Sequence, residues 1–182
     1  MAAIKSVKDE SKIPERFIWA NKLIDVKPDD HILEIGCGVG LLAEQLASKL
    51  TSGQLVAIDK SIKMLEKAKQ RNRGFIDSGV MKFLSIDFSQ SELPKSYFDT
   101  VVAFNVNLFW KDSAKEFKII MRSLKPNGKL YVFHQAPYEI DASFMTPVKQ
   151  LLEKNQFEVI DIKLKKLQPA AVCLVAGTKA VE

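Results

Sequence analysis

The sequence predicts an α/β fold: a mostly parallel sheet of seven strands, with helices on both faces and an antiparallel hairpin at the C-terminal end. Short β-rich runs alternate with amphipathic helical stretches along most of the chain, and this alternation is typical of a parallel sheet packed between helices. Only KKLQP (165–169) separates the last two β-rich runs. Because this segment is too short for a crossover helix, the two runs are predicted to pair antiparallel at one edge.

Seven apolar runs are predicted as strands: 31–36, 54–59, 80–87, 98–105, 129–134, 157–164 and 170–179. Helices are predicted from apolar residues at helical spacing, at 16–26, 41–50, 60–73, from about 113 to 124, and 143–155. Ser113 and Glu116 have the spacing of a capping box at the start of the fourth helix. The segment PNG (126–128) is predicted to break the chain before the fifth strand.

The composition is that of an ordinary globular protein, with 47% hydrophobic and 27% charged residues in a chain of 182. We expect a single domain over residues 1–182, with residues 1–14 as a flexible N-terminal segment. No apolar run approaches the ~18 residues that span a membrane, and the N-terminal stretch lacks the apolar core of a secretion signal. We therefore expect a cytoplasmic protein with no membrane partner. Cys37 and Cys173 are expected to be free thiols, with no metal site.

The net charge of +5 is concentrated in one predicted helix. Residues 60–73, KSIKMLEKAKQRNR, hold six basic side chains and one acidic side chain. Apolar residues at helical spacing favour a helix whose charges form its solvated face. A surface for an anionic partner such as nucleic acid is the alternative interpretation.

Residues 31–40, HILEIGCGVG, lead from a strand pattern directly into three alternating glycines, Gly36, Gly38 and Gly40. Glycine permits tight turns and a close approach of the backbone to a ligand. In an open α/β sheet, ligands bind beyond the carboxyl ends of the strands. A single glycine would suit an ordinary turn or helix packing, but three glycines between a strand and a helix favour a ligand-binding loop.

The spacing of these glycines separates two classes of cofactor. The dinucleotide fingerprint is G-x-G-x-x-G, whereas Leu41 occupies the position of its third glycine. Glu34 precedes the loop on the strand, and a carboxylate there suits a cationic ligand better than a pyrophosphate. The loop therefore argues against a nicotinamide dinucleotide.

In these motifs the sequence resembles the class I S-adenosylmethionine-dependent methyltransferases, which have a Rossmann-like fold. LEIGCGVG is similar to the first motif of this family, LVAIDKS to the second, SIDFS to the third, FDTVVAFNVNLFW to the fourth strand and its loop, and RSLKPNGKLYVF to the entry of the fifth strand. Asn127 stands where the family usually has a glycine. The resemblance covers roughly residues 15–180 and implies S-adenosylmethionine as the cofactor.

The resemblance also implies roles for individual residues. Asp59 would hold the ribose hydroxyls, with Lys60 beside it; Asp87 would reach the adenine amino group, with Phe88 beside the ring; and Asn105 would contact the amino-acid end of the cofactor. Glu34, Gly36 and Gly38 complete the predicted cofactor site. An Asp at the end of a strand also caps the following helix in many proteins, so Asp59 and Asp87 have this alternative or additional role.

His134 is the candidate catalytic residue. It ends the fifth predicted strand and so is expected on the ligand side of the sheet, whereas His31 begins the first strand and is expected on the opposite side. A general base is needed only if the acceptor must lose a proton, and a structural histidine is the alternative interpretation. Phe109 and Trp110 are expected either to wall an acceptor pocket or to pack under the next helix.

The acceptor is expected to be a small molecule, because little of the chain is left to form a substrate cap: the first 30 residues and the segment 135–147. The motif of amino-methylating DNA enzymes is missing after the fourth strand, where the chain reads FNVN, and neither cysteine suits cytosine C5 chemistry. An RNA acceptor bound through the helix at 60–73 is the second choice, and a non-catalytic S-adenosylmethionine-binding protein is a further alternative. The oligomeric state is open.

Overall fold

A computed structural model of the chain describes residues 13–178. The strands are His31–Ile35 (β1), Gln54–Asp59 (β2), Met81–Ser85 (β3), Phe98–Phe104 (β4), Leu124–Gln135 (β5), Phe157–Lys165 (β6) and Ala171–Thr178 (β7). The helices are Glu15–Leu23 (α1), Leu41–Ala47 (α2), Ile62–Arg71 (α3), Arg73–Asp77 (α4), Ala114–Ser123 (α5) and Thr146–Lys154 (α6). All seven predicted strands and all five predicted helices are present.

The strands form one sheet in the order β3-β2-β1-β4-β5-β7-β6. Strands β1 to β5 are parallel, and β7 pairs antiparallel with both β5 and β6. The predicted fold class is thus confirmed, with β7 inserted between its hairpin partner and the parallel part of the sheet. The strand order reverses between β1 and β4, which is where this architecture places its ligand.

Apolar side chains alternate between the two faces of the sheet because neighbouring residues of a strand point in opposite directions. One face packs against α1, α2, α3 and α4, and the other packs against α5 and α6. Leu33 and Ile35 of β1 belong to the core on the face covered by α5 and α6, whereas Ile32 belongs to the core on the face covered by α1 to α4. Glu34 therefore points to the same face as Ile32, towards α2.

Three local predictions need correction. β5 begins at Leu124, not after the PNG segment: its pairing with β4 shifts between Phe98 and Thr100, and Asn127 takes a positive φ of 64° in the resulting bulge. The capping box is not formed, because Ser113 precedes α5 without a capping bond from its side chain. The basic helix ends at Arg71, where Asn72 separates it from α4.

His31 lies at the amino end of the sheet, as expected. Its backbone N–H donates to Asp99 at 2.8 Å, and Lys125 binds the same carboxylate at 2.7 and 2.8 Å. These contacts join the starts of β1, β4 and β5 at the end of the sheet remote from the glycine loop. The predicted flexible segment falls mostly on residues 1–12, outside the described residues. Within residues 13–178, no helix is long and apolar enough to cross a membrane.

Candidate cofactor site

A cavity of about 390 Å³ opens at the carboxyl ends of β1, β2, β3 and β4. Its lining residues come from the ends of these strands and from the loops that follow them: Ile35, Gly36, Ile58, Asp59, Lys60, Ile86, Asp87, Phe88, Ser89, Asn105, Val106, Asn107, Leu108, Lys111, Ser113 and Glu116. The volume falls in the usual range for small-molecule and cofactor sites. Six predicted site residues line it: Gly36, Asp59, Lys60, Asp87, Phe88 and Asn105.

The three glycines of the loop all have positive φ, between 55° and 73°, yet their surroundings differ. A Cβ atom at Gly36 would lie 2.7 Å from a methyl group of Val106, and one at Gly40 would lie 2.6 Å from the side-chain nitrogen of Asn72. A Cβ atom at Gly38 would meet nothing within 4 Å. Gly36 and Gly40 therefore allow close packing. Gly38 has open space beside it, and this predicted site residue is absent from the cavity lining.

Asp59 connects the end of β2 to the loop after β1. Its carboxylate accepts hydrogen bonds from the backbone N–H groups of Gly38 and Ser61, both at 2.8 Å. Each carboxylate oxygen keeps a further lone pair on the wall of the cavity. The alternative role of Asp59, capping the following helix, applies only in part. Ser61 is the N-cap residue of α3, and the Ser61 hydroxyl accepts a hydrogen bond from the N–H of Met64.

Glu34 lies beneath the loop and outside the cavity lining, with 3% of its surface exposed. Burial and the nearby negative charge of Asp59 raise the pKa of Glu34 to about 8, although the N–H of Ala43 partly opposes this by donating to the carboxylate. One carboxylate oxygen, Oε2, has no hydrogen-bond partner. With this raised pKa, the Glu34 carboxyl is mostly protonated at pH 7.

Asp87 and Phe88 form the wall at the end of β3. The Asp87 carboxylate accepts from the Ser89 hydroxyl at 2.7 Å and from the Ser89 N–H at 3.0 Å, and these bonds lower its pKa. Asp87 thereby caps a short 3₁₀ turn over residues 88–90, as the alternative interpretation proposed. It nevertheless faces the cavity and is open to solvent, and Phe88 is buried beside it.

Asn105 ends β4 with a positive φ of 55°. Its side chain accepts from the N–H of Gln135 at 2.8 Å and donates to the carbonyl of Gln135 at 3.2 Å. These bonds fasten the end of β4 to the end of β5. Asn105 therefore shapes the cavity wall, and half of the hydrogen-bonding capacity of its side chain is already used within the protein.

His134 takes a different position. Its ring stacks on Phe144, with 4.8 Å between centroids, and lies 4.5 Å from the ring of Trp110. It is absent from the cavity lining, and its Nδ1 is buried without a hydrogen-bond partner. Phe109 is fully buried in the core, so the packing interpretation holds for this residue.

The loop after β4 and the start of α5 form a wall of the cavity with Asn107, Lys111, Ser113 and Glu116. Asn107 lies in the segment that resembles the fourth strand and its loop, and Ser113 and Glu116 were predicted only as a capping box. Lys111 and Asn72, whose side chain holds the carbonyl of Gly40, were not predicted as site residues. The collision that a Cβ at Gly40 would make with Asn72 becomes visible only once α3 is placed against the loop.

The residues present fit S-adenosylmethionine. Apolar side chains such as Ile58, Ile86 and Phe88 offer a surface for an adenine ring, and the carboxylates of Asp59 and Asp87 offer acceptors for hydroxyl and amino groups. Cys37 in this loop is buried, and burial together with the charges of Glu34 and Asp59 raises the pKa of its thiol, so it is a poor nucleophile.

Comparison with known sequences gives consistent results. A family model described as a methyltransferase domain matches residues 33–132. The uncharacterized methyltransferase YdaC of Bacillus subtilis is 32% identical over 169 residues, which cover 89% of this chain and 91% of that protein. Phosphoethanolamine N-methyltransferase 1 of Zea mays is 29% identical over 129 residues, 70% of this chain but 25% of the maize protein.

Among solved structures, an S-adenosylmethionine-dependent methyltransferase from Aquifex aeolicus superposes with a TM-score of 0.73. The alignment covers 93% of this chain and 98% of that one, at 18% sequence identity. At this level of identity the superposition establishes the shared fold, including the terminal antiparallel pair.

Proposed function

Because this chain belongs to the class I S-adenosylmethionine-dependent methyltransferase family, we propose that it transfers a methyl group from S-adenosylmethionine to a small-molecule acceptor. The observation that carries this proposal is the cavity at the strand-order reversal, which Gly36, Asp59 and Asp87 line, with the Asp59 carboxylate bonded to the N–H of Gly38. S-adenosylmethionine supplies an activated methyl group on a sulfonium. The task of the protein is then chiefly to bind and align the reactants.

The residues at the cavity divide this task. We propose that Asp59 and Asp87 accept hydrogen bonds from the hydroxyl and amino groups of the cofactor, and that Ile58, Ile86 and Phe88 pack against its flat ring. Lys60 lies beside the two carboxylates on the rim. Glu34, beneath the loop, provides negative charge close to the site when a cationic ligand lowers its raised pKa.

The acceptor is proposed from two considerations. The maize relative is named for phosphoethanolamine, a small molecule, although this chain spans only a quarter of that protein. The connection between the end of β5 at Gln135 and the start of α6 at Thr146 lies on this side of the sheet. A segment of this size offers a lid for a small acceptor and little surface for a structured RNA.

We propose His134 as the general base in case the acceptor must lose a proton. Burial lowers the pKa of His134, which favours the neutral, proton-accepting form at neutral pH. Because Trp110 and Phe144 lie against its ring, the acceptor must reach an edge of the imidazole from outside the cofactor cavity. With His134→Phe, loss of a base lowers kcat by about 10²–10⁴-fold at unchanged cofactor affinity; an unchanged kcat removes His134 from this role.

Calorimetry with S-adenosylmethionine, S-adenosylhomocysteine and NAD tests the cofactor, and formation of S-adenosylhomocysteine in the presence of acceptors tests turnover. We expect binding of the first two compounds, no binding of NAD, and turnover with small amines, alcohols or acids in a broad panel. Turnover on RNA alone would replace the small-molecule acceptor, and binding without turnover on any acceptor would favour a non-catalytic role.

We also propose a cytoplasmic location, in keeping with the two free, buried cysteines.

A further inference from the structure

Asn72 ties the glycine loop to α3. It is the residue at which α3 ends and α4 begins, and only 1% of its surface is exposed. Its side-chain nitrogen donates to the carbonyl of Ala68 at 2.9 Å and to the carbonyl of Gly40 at 3.1 Å. One amide group thus closes the end of its own helix and holds the end of the loop, 32 residues away in the chain.

The carbonyl oxygen of Gly40 accepts hydrogen bonds from two different helices. Gly40 is the N-cap residue of α2, and its carbonyl also accepts the N–H of Glu44 at 3.1 Å. The N–H of Gly40 donates to the carbonyl of Cys37 at 2.9 Å, which closes the turn over residues 37–40. A hydrogen bond from Asn72 to this carbonyl therefore fixes the start of α2 and the end of the loop together.

This contact also explains why residue 40 is a glycine. A Cβ atom there would lie 2.6 Å from the side-chain nitrogen of Asn72 and 3.0 Å from the Cβ atom of Ala68. A Cβ atom at Gly38 would meet nothing within 4 Å. The third glycine of the loop thus makes room for α3, whereas the second has open space beside it.

We propose that Asn72 is a positioning residue for the cofactor: it holds Gly40 so that the loop over residues 36–40 is already formed when the ligand arrives. A preformed loop does not have to be ordered during binding, so the ligand binds more tightly. The inference rests on the proposed function in taking S-adenosylmethionine or its product as the ligand. It assigns Asn72 no contact with that ligand.

Asn72→Asp tests the proposal because it keeps the shape of the side chain and removes the amide donor. Asn155 provides a matched control: it is the C-cap residue of α6, and its side-chain nitrogen donates to the carbonyl of Leu151 at 2.8 Å. This bond spans four residues, as does the bond from Asn72 to Ala68. Asn155→Asp therefore removes an equivalent bond within a helix, at a residue that is not bonded to the glycine loop.

The dissociation constant of S-adenosylhomocysteine is measured by calorimetry, next to the free energy of unfolding of each variant. We expect Asn72→Asp to raise the dissociation constant about tenfold, equivalent to about 1.4 kcal/mol, and Asn155→Asp to change it less than twofold. An unchanged dissociation constant in folded Asn72→Asp, or equal increases in both variants, would overturn the proposal. If Asn72→Asp does not fold, Asn72→Ala provides the same comparison against Asn155→Ala.

Hydrogen exchange of the ligand-free protein gives a second readout that does not depend on the cofactor. Loss of the tether should speed exchange of the Gly40 amide in Asn72→Asp, and Asn155→Asp should leave it unchanged; equal exchange rates at Gly40 in wild type and Asn72→Asp would overturn the proposal. Failure of the wild type to bind S-adenosylhomocysteine would instead overturn the proposed function. The two failures are therefore distinguishable.

Discussion

Asp59 at the end of β2 accepts a hydrogen bond of 2.8 Å from the backbone N–H of Gly38, in the loop that follows β1. The side chain expected to bind the cofactor also shapes the loop that approaches it. Two neighbouring strands therefore contribute to the site as one unit, and a change at Asp59 acts on both.

Asp59→Ala should weaken the binding of S-adenosylhomocysteine by about 10- to 100-fold. The change removes the proposed acceptor for the ligand and the bond to Gly38, and a hydrogen bond to a charged group typically contributes about 1.5–3 kcal/mol. Calorimetry measures the effect. Asp77→Ala, at an exposed residue of α4 that pairs with Arg73, is the control, and equal affinities for wild type and Asp59→Ala would show the assignment to be wrong.

Glu34→Gln should make the protein more stable than wild type at alkaline pH. The pKa of Glu34 is raised from 4.5 to about 8 in the folded state, so the folded state keeps a proton that the unfolded chain releases. Wild-type stability therefore falls as pH rises from about 4.5 to about 8, by on the order of several kcal/mol at most, and levels off above that.

Denaturant unfolding at pH 5 and at pH 8.5 measures this effect as a difference between variant and wild type. The advantage of Glu34→Gln should grow between the two pH values. The exposed Glu158 on β6 provides a control, because Glu158→Gln should show no such growth. A difference that stays constant for Glu34→Gln would contradict the raised pKa.

Gly38→Ala and Gly40→Ala should separate ligand binding from stability. Both residues have positive φ, so an alanine at either position costs about 1–2 kcal/mol in backbone strain. At Gly40 the added methyl group also collides with Asn72 and Ala68, so this variant should lose more stability. At Gly38 the methyl group meets no neighbour within 4 Å, but the strain falls on the residue whose N–H bonds to Asp59, so this variant should lose proportionally more affinity. Melting curves and calorimetry of both variants measure the two effects, and identical profiles would refute the division.

Asp99→Asn should destabilise the fold by about 1–3 kcal/mol at pH 7 without changing cofactor affinity. Burial alone would raise the pKa of Asp99, but the hydrogen bonds from the His31 N–H and from Lys125 outweigh it and lower the pKa. Its contribution is therefore present above the ordinary pKa of 3.8 and is lost as pH falls below about 4.

Unfolding experiments at pH 7 and pH 3 check the contribution of Asp99. The variant should differ from wild type at pH 7 and much less at pH 3. Asp161→Asn, at an exposed pair with Lys163 on the edge strand, should cost less stability than Asp99→Asn, because exposed ion pairs contribute little. A shift of the dissociation constant of S-adenosylhomocysteine in Asp99→Asn would show that the two ends of the sheet are coupled.

The strands and the glycine loop were predictable because their signals are local. The run from His31 to Gly40 contains a strand, its end and the loop in ten consecutive residues. Asp59 ends β2, and Asp87 follows the end of β3 by two residues. Once parallel strands are assumed, their carboxyl ends meet at one edge of the sheet. Six predicted site residues therefore line one cavity although they are distant in sequence.

The remaining features depend on tertiary contacts. The sequence places His134 at the carboxyl end of β5 but does not reveal that Trp110 and Phe144 lie against its ring. Ser113 has the spacing of a capping box, yet its side chain makes no cap. Asn72 stands at the end of a basic helix in the sequence, and its bond to Gly40 depends on how α2 and α3 pack against each other.

The position of β7 bears on the order in which the chain is assembled during synthesis. β6 leaves the ribosome before β7, yet among the strands of residues 13–178 β6 pairs only with β7, which separates it from β5. The strands that end at the cavity, β1 to β4, are complete by residue 104. The cofactor cleft is therefore encoded in the earlier part of the polypeptide, whereas the far edge of the sheet can close only after residues 171–178 have emerged.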